Sequence, residues 1–225
     1  MKYAVVCTLL ALCFAFLCYI FYWVHRFNNP YTFTMVFGKK GSGKSTYFTK
    51  EALKHIKKGW TVYTDSPMNI KGVRLFNPED LGEFLPPPKS VIFIDEGGLI
   101  YNNRNFKNFK KTWLEFYKLQ RHARCKVFVG SQTFDIDLKL RDLTDEMYIC
   151  RKYLGVLVCL GRVLKYPTVI NTSDNGTGGV ADQYELESPL LAFFGSRKFV
   201  WIPRWYKLHD SFSMPEREEI SYTEL

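Results

Sequence analysis

The stretch FTMVFGKKGSGKSTYF, residues 33–48, leaves this chain few folds to choose from. An apolar run that reads as a buried strand breaks into glycines and lysines, and an amphipathic pattern then resumes. Gly38, Gly43, Lys44 and Ser45 fit G-x-x-x-x-G-K-[ST], with a further glycine at Gly41. The pattern gains meaning from its setting, after a strand and at the opening of a helix. Glycines let backbone N–H groups close on phosphates, and the helix N-terminus adds a favourable dipole. Gly38, Lys39, Lys40, Gly41, Ser42, Gly43, Lys44, Ser45 and Thr46 are therefore the expected binding loop for ATP. Lys44 is placed to reach the terminal phosphates, Ser45 to ligate Mg²⁺, and Thr46 to touch the α-phosphate.

A hydrolytic site needs a carboxylate at the end of another strand, and SVIFIDE at 90–96 supplies two. Asp95 is the candidate to hold Mg²⁺ through water. Glu96 is the candidate general base that polarises the attacking water. The bland alternative is that the two acids simply begin a loop. The adjacent pair favours a nucleotide hydrolase over a small-molecule kinase, which has no use for a water-activating Glu. Gln132, ending CKVFVGSQ, senses the γ-phosphate if its strand lies between those of the loop and of Asp95; otherwise it caps a turn. Arg121, Arg124, Arg141 and Arg151 are candidates for a finger supplied in trans, with Arg141 and Arg121 foremost. For each of them a surface salt bridge is the competing reading.

The body alternates strands with helices. Strand-like runs fall at 32–37, 60–65, 90–96, 125–132 and 146–153, with helical spacing at 44–57 and 109–123. Short continuous apolar strands alternating with helices imply a parallel sheet covered on both faces. The expected fold class is α/β, a three-layer P-loop NTPase sandwich. We expect a membrane anchor at 1–26, the core at 31–153 and a β-rich C-terminal extension of the same domain at 154–225. The extension opens with GVLVCLGRVLKYPTVI and a Gly/Asn/Ser/Asp-rich stretch at 171–179, which read as a hairpin with a long tip.

Residues 3–24 carry no charge. As a helix they measure roughly 33 Å, enough for a hydrocarbon core of about 30 Å. A signal peptide is the competing reading, but the stretch ends in Tyr19, Phe21, Tyr22 and Trp23, aromatics suited to a membrane interface. Lys2 precedes the span, while His25, Arg26, Lys39, Lys40 and Lys44 follow it, which places the body in the cytoplasm of a single-pass inner-membrane protein. From residue 24 to 38 the chain reaches at most roughly 50 Å, so the nucleotide loop is expected close to the bilayer.

The formal net charge of +9 suits nucleic acid or an anionic membrane face, and also the ordinary basic flank of a membrane anchor. The segment NNRNFKNFKK, 102–111, interleaves cations with Phe106 and Phe109, a pattern suited to single-stranded nucleic acid. Its alternative is a loop whose phenylalanines enter the core. The six cysteines show no metal-ligand spacing and fit a reducing compartment.

Taken together, FGKKGSGKST, VIFIDE and LQRHARCKVFVGSQ followed by IDLKLRDL resemble the zonular occludens toxin-like ATPases of filamentous-phage assembly and export. In that family an Arg-His pair, here Arg121-His122, precedes a strand ending in glutamine, here Gln132. A downstream arginine, here Arg141, lies near the start of the last core strand, and RWYKLHDSF at 204–212 is similar to the family's aromatic ending. The resemblance implies ATP hydrolysis at the inner membrane face, a homo-oligomeric ring, phage coat or assembly proteins as partners, and extrusion of a single-stranded DNA phage. The chain departs from the better-known members in carrying its span first, which puts a pore or outer-membrane docking role in doubt. A plasmid or conjugative DNA translocase, a nucleotide-binding membrane scaffold and a nucleotide kinase are the competing readings.

Overall fold

Every residue of β1, Phe33–Phe37, is buried, and so is every residue of β4, Ser90–Ile94. Strands buried on both faces belong to the middle of a parallel sheet covered by helices. In this computed structural model, which describes residues 2–101, 110–134, 136–170 and 179–208, that is where they lie. The chain divides into two compact units, 1–30 and 31–225. The first is α1, Lys2–Phe27, whose segment Val5–Val24 reaches a mean hydropathy of 2.5. It is long and apolar enough to cross a membrane, a test a signal sequence also passes.

In the second unit the parallel strands are β1, β2 (Thr61–Thr64), β3 (Val73–Leu75), β4, β5 (Cys125–Ser131) and β6 (Glu146–Tyr153). They are followed by antiparallel β7 (Leu157–Ile170), β8 (Gly179–Leu186) and β9 (Arg197–Trp201). Among the described residues all nine form one sheet, ordered β3-β2-β4-β5-β1-β6-β7-β8, with β9 also on β7. Val163 of β7 pairs both Met147 and Leu186, so β6 and β8 take its opposite edges. β9 pairs Leu157 to Gly161, beside β8 on the outer edge.

Successive side chains of a strand face opposite sides. Phe33, Met35 and Phe37 therefore share one core with Ile92, Ile94, Val127 and Val129. Trp113, Phe116 and Tyr117 of helix α4, Lys111–Leu119, cover it. Val36, Phe93 and Phe128 build the other core beneath helix α2, Lys44–Lys57. There Tyr47, Phe48, Ala52 and His55 recur on one face at the helical period. Phe93 and Phe128 stack with ring centroids 4.9 Å apart, a geometry worth about 0.5–1.5 kcal/mol beyond the area it buries.

The helix expected over 109–123 is shorter, because residues 121–124 turn back into β5. Four elements leave little mark on the sequence: β3, β9, and the short helices α3 (Gly97–Ile100) and α5 (Leu138–Asp142). Each has five residues or fewer, too few to display a period. Residues 157–170 and 179–186 pair as an antiparallel hairpin. Its connection at 171–178, most of the 102–111 segment and the tail from 209 onward lie outside the described residues.

Candidate phosphate-binding and hydrolytic site

All the expected hydrolytic groups except the arginines meet at the C-terminal ends of the parallel strands, where open α/β sheets bind ligands. The loop leaves β1 at Gly38, whose N–H donates to Ser131 O at 3.0 Å, and enters α2 through Gly43. Gly43 has φ +97°, and a Cβ there would lie 2.3 Å from Val158 Cγ2. Only glycine meets both constraints. Lys39, Lys40 and Gly41 are exposed at the loop's apex, while Ser42 and Lys44 are buried. Lys44 Nζ donates to Gly38 O at 2.8 Å, which folds its side chain back over the loop. Thr46 is half-buried in the first turn of α2.

Ser45 Oγ donates to Asp95 Oδ2 at 2.6 Å, joining the loop to the end of β4. Asp95 Oδ1 is buried with no hydrogen-bond partner. One hydroxyl and one carboxylate, with an oxygen still to be satisfied, fit Mg²⁺, which keeps several waters and takes substrate phosphate oxygens. Among the described residues no group of three or more His, Cys, Asp and Glu is placed to hold a metal by itself.

β5 lies between β1 and β4, which brings Gln132 beside the carboxylates. The approach is close: a Cβ on Gly130 would lie 2.5 Å from Asp95 O. Gln132 Nε2 donates to Glu96 Oε2 at 3.2 Å, so the glutamine's partner is the candidate base itself.

The structure places Arg121 and Arg141 elsewhere. Arg121 is exposed in the turn leading into β5, at the opposite end of the strands from the loop. Arg141 lies on α5, whose Leu140 belongs to the core on the face away from α2, and its Nε is buried without a partner. Neither is brought to the phosphate loop of its own chain.

Three participants escape a reading by motif. Asp65, just past β2, accepts the Asp95 N–H on both carboxylate oxygens at 3.0 Å, and the Ser66 hydroxyl on one at 3.1 Å. Burial, with the nearby Asp95 charge, pushes its carboxyl up to about 6 against the lowering effect of that N–H. Cys150 of β6 donates its thiol to Ser42 O at 3.2 Å, and burial pushes that thiol up to about 11. Val158 of β7 supports the loop from below. An acid at the end of a strand one place beyond SVIFIDE was a visible signal for Asp65; the other two had none.

Loop, carboxylate pair and intervening strand make this an α/β fold of the P-loop NTPase type. No protein-family model matches the sequence, and no curated protein matches it. Among solved structures, the chain is similar to the N-terminal domain of zonular occludens toxin from Neisseria meningitidis. Identity there is 16%, over 72% of this chain and 97% of that one, with a TM-score of 0.44. It is also similar to the genome packaging NTPase B204 of Sulfolobus turreted icosahedral virus 2, in complex with ATP-gammaS. That match has 13% identity over 68% and 97% of the two chains, and a TM-score of 0.47. The flagellar accessory protein FlaH of Methanocaldococcus jannaschii aligns at 10% identity over 58% and 77%, with a TM-score of 0.45.

Proposed function

We propose that the chain is a membrane-anchored ATPase that hydrolyses ATP at the C-terminal edge of its parallel sheet. The observation that carries the reading is the hydrogen bond from Ser45 to Asp95, with Glu96 held by Gln132 one residue further on. Lys44 exchanges the Gly38 carbonyl for oxygens of the terminal phosphates. The backbone N–H groups of the loop and the opening turn of α2 supply further donors and dipole to the same anion. Glu96 takes a proton from the water that attacks the γ-phosphorus, and Gln132 orients that carboxylate. Ser45 and Asp95 would hold Mg²⁺, which would supply positive charge against the oxygens of the transferred phosphate. Asp65 positions the Asp95 backbone.

Residues 1–26 serve as the anchor, with the body at the cytoplasmic face, 31–153 as the ATPase core and 154–225 as its extension. The ordered motifs FGKKGSGKST, VIFIDE and VFVGSQ, with Arg141 downstream, support a motor of the filamentous-phage assembly and export kind. It acts as a homo-oligomeric ring in which Arg141 or Arg121 serves the neighbouring subunit's nucleotide, and it works with coat or assembly proteins on single-stranded DNA.

Phosphate release by the full chain in lipid vesicles, with Lys44→Ala and Glu96→Gln beside it, tests the proposal. The unaltered chain turns ATP over, and both variants lose turnover. ATP binding without turnover, in the presence of single-stranded DNA as well, would overturn hydrolysis and leave a nucleotide-binding scaffold.

A further inference from the structure

On the α2 face of the sheet, lined by no residue of the phosphate loop, lies a cavity of about 290 Å³ with a surplus of cations. Lys50, Lys54 and the carboxylate Glu51 line it from α2, Lys126 from β5 and Lys198 from β9, and Tyr47 and Phe128 set aromatic rings in its wall. Two of the lysines are satisfied locally. Lys50 Nζ donates to Phe199 O at 3.0 Å, and Lys54 pairs Glu51 at 3.1 Å. Lys198 is held more loosely: it pairs Glu146 Oε2 at 3.5 Å, lies 3.5 Å from the Tyr47 hydroxyl and stands 4.0 Å above the Tyr148 ring. Lys126 has no carboxylate within ion-pair distance among the described residues; its ammonium stands 5.3 Å from the Phe128 ring centroid, with Glu146 and Glu51 near enough to act on its charge.

A recessed ammonium without a counter-ion, as at Lys126, is costly, and Lys198 facing the same cavity adds a repulsion that its Glu146 pair offsets only in part. Burial accordingly holds both Lys126 and Lys198 below the ordinary lysine range. An anion entering between them offsets the repulsion and supplies Lys126 with the acceptor it lacks. We propose that this cavity is a second phosphate-binding site, independent of the nucleotide loop. It takes a phosphate oxyanion between Lys126 and Lys198, either as a backbone phosphate of a single-stranded nucleic acid or as a free phosphate species. The inference does not rest on ATP hydrolysis.

The test uses the full chain carrying Lys44→Ala, which silences the nucleotide loop. Lysines are labelled with an amine-reactive reagent and read by mass spectrometry, alone, with inorganic pyrophosphate and with an oligothymidylate. Protection of Lys126 and Lys198 together is the expected result. Protection by the oligonucleotide alone identifies a strand as the source, and protection by pyrophosphate alone identifies a free phosphate. A Lys126→Met/Lys198→Met pair then binds the protecting anion about tenfold more weakly, and for a strand the salt slope falls by about one per lysine removed. The Lys126→Arg/Lys198→Arg pair restores binding and serves if the methionine pair does not fold. Unchanged labelling of both lysines with both anions would overturn the proposal.

Discussion

The parallel and antiparallel halves of the sheet are continuous, yet they serve the loop in different ways. The parallel half sinks β1 and β4 wholly into the core and brings only strand ends to the candidate site: Gly38, Asp65, Asp95 and Gln132. The antiparallel half is shallower, and β9 buries one position in five. It supplies no candidate catalytic group. Its contribution is Val158 against Gly43, while Cys150, at the seam on β6, bonds to Ser42. The candidate groups therefore gather where parallel strands stop, and the shape of the loop depends on strands that come later in the chain.

Substitutions that separate these contributions test the comparison. The largest effect belongs to the parallel half. Glu96→Gln lowers turnover on the order of 10²–10⁴-fold, as loss of a general base does, while equilibrium dialysis shows ATP binding unchanged. Loss of binding as well would mean that Glu96 shapes the loop.

Gly43→Ala comes next, because it strikes the contact between the halves. It combines a left-handed backbone, costing roughly 1–2 kcal/mol, with overpacking against Val158 of about 1–3 kcal/mol. Urea unfolding of Gly43→Ala with Val158→Ala should recover the second part only. Full additivity of the two changes would show that Val158 does not support the loop.

A smaller effect follows from cutting the hairpin's ion pairs. Lys165 bonds Asp182 at 2.9 Å and also pairs Asp142 on α5. These groups are partly exposed, so Lys165→Ala costs less than about 1 kcal/mol and leaves turnover unaltered. A large loss of activity would place the hairpin in the mechanism.

The finest test is pH. His55, packed edge-on to Trp60 and hydrogen-bonded to Glu51 O at 2.7 Å, is held below the usual imidazole range by burial. Lys126 and Lys54 lower it further, while the Glu51 carbonyl and carboxylate oppose the shift. The unfolded chain thus takes up the proton first as pH falls. Its contribution to stability is complete above the unfolded pKa of about 6.5 and is lost as pH drops through the folded value. The thermal midpoint should fall more between pH 7.5 and 5.5 in the unaltered chain than in His55→Gln.

Much of this was legible in the chain itself. β1, β4 and β5 announce themselves as short apolar runs, and α2 begins where the lysine-serine pair says it must. The order of β5 between β1 and β4 was a condition in the sequence and a fact only in the fold. The sequence points Gln132 at the γ-phosphate, and the fold adds a partner no motif names, the Glu96 carboxylate to which its amide bonds. Two strand ends had to be set side by side before that contact existed.

The sequence by itself determined the strand–loop–helix that cradles phosphate and the acids that end β4, because turn chemistry and periodicity act over a few neighbouring residues. It also determined an N-terminal helix apolar enough to span a bilayer. Tertiary structure alone decided that Asp65 braces Asp95, that Val158 and Cys150 hold the loop, that Arg121 and Arg141 stand apart from it, and that four lysines share a cavity. Those relations join residues distant along the chain, brought together by sheet order and burial, which no local pattern encodes.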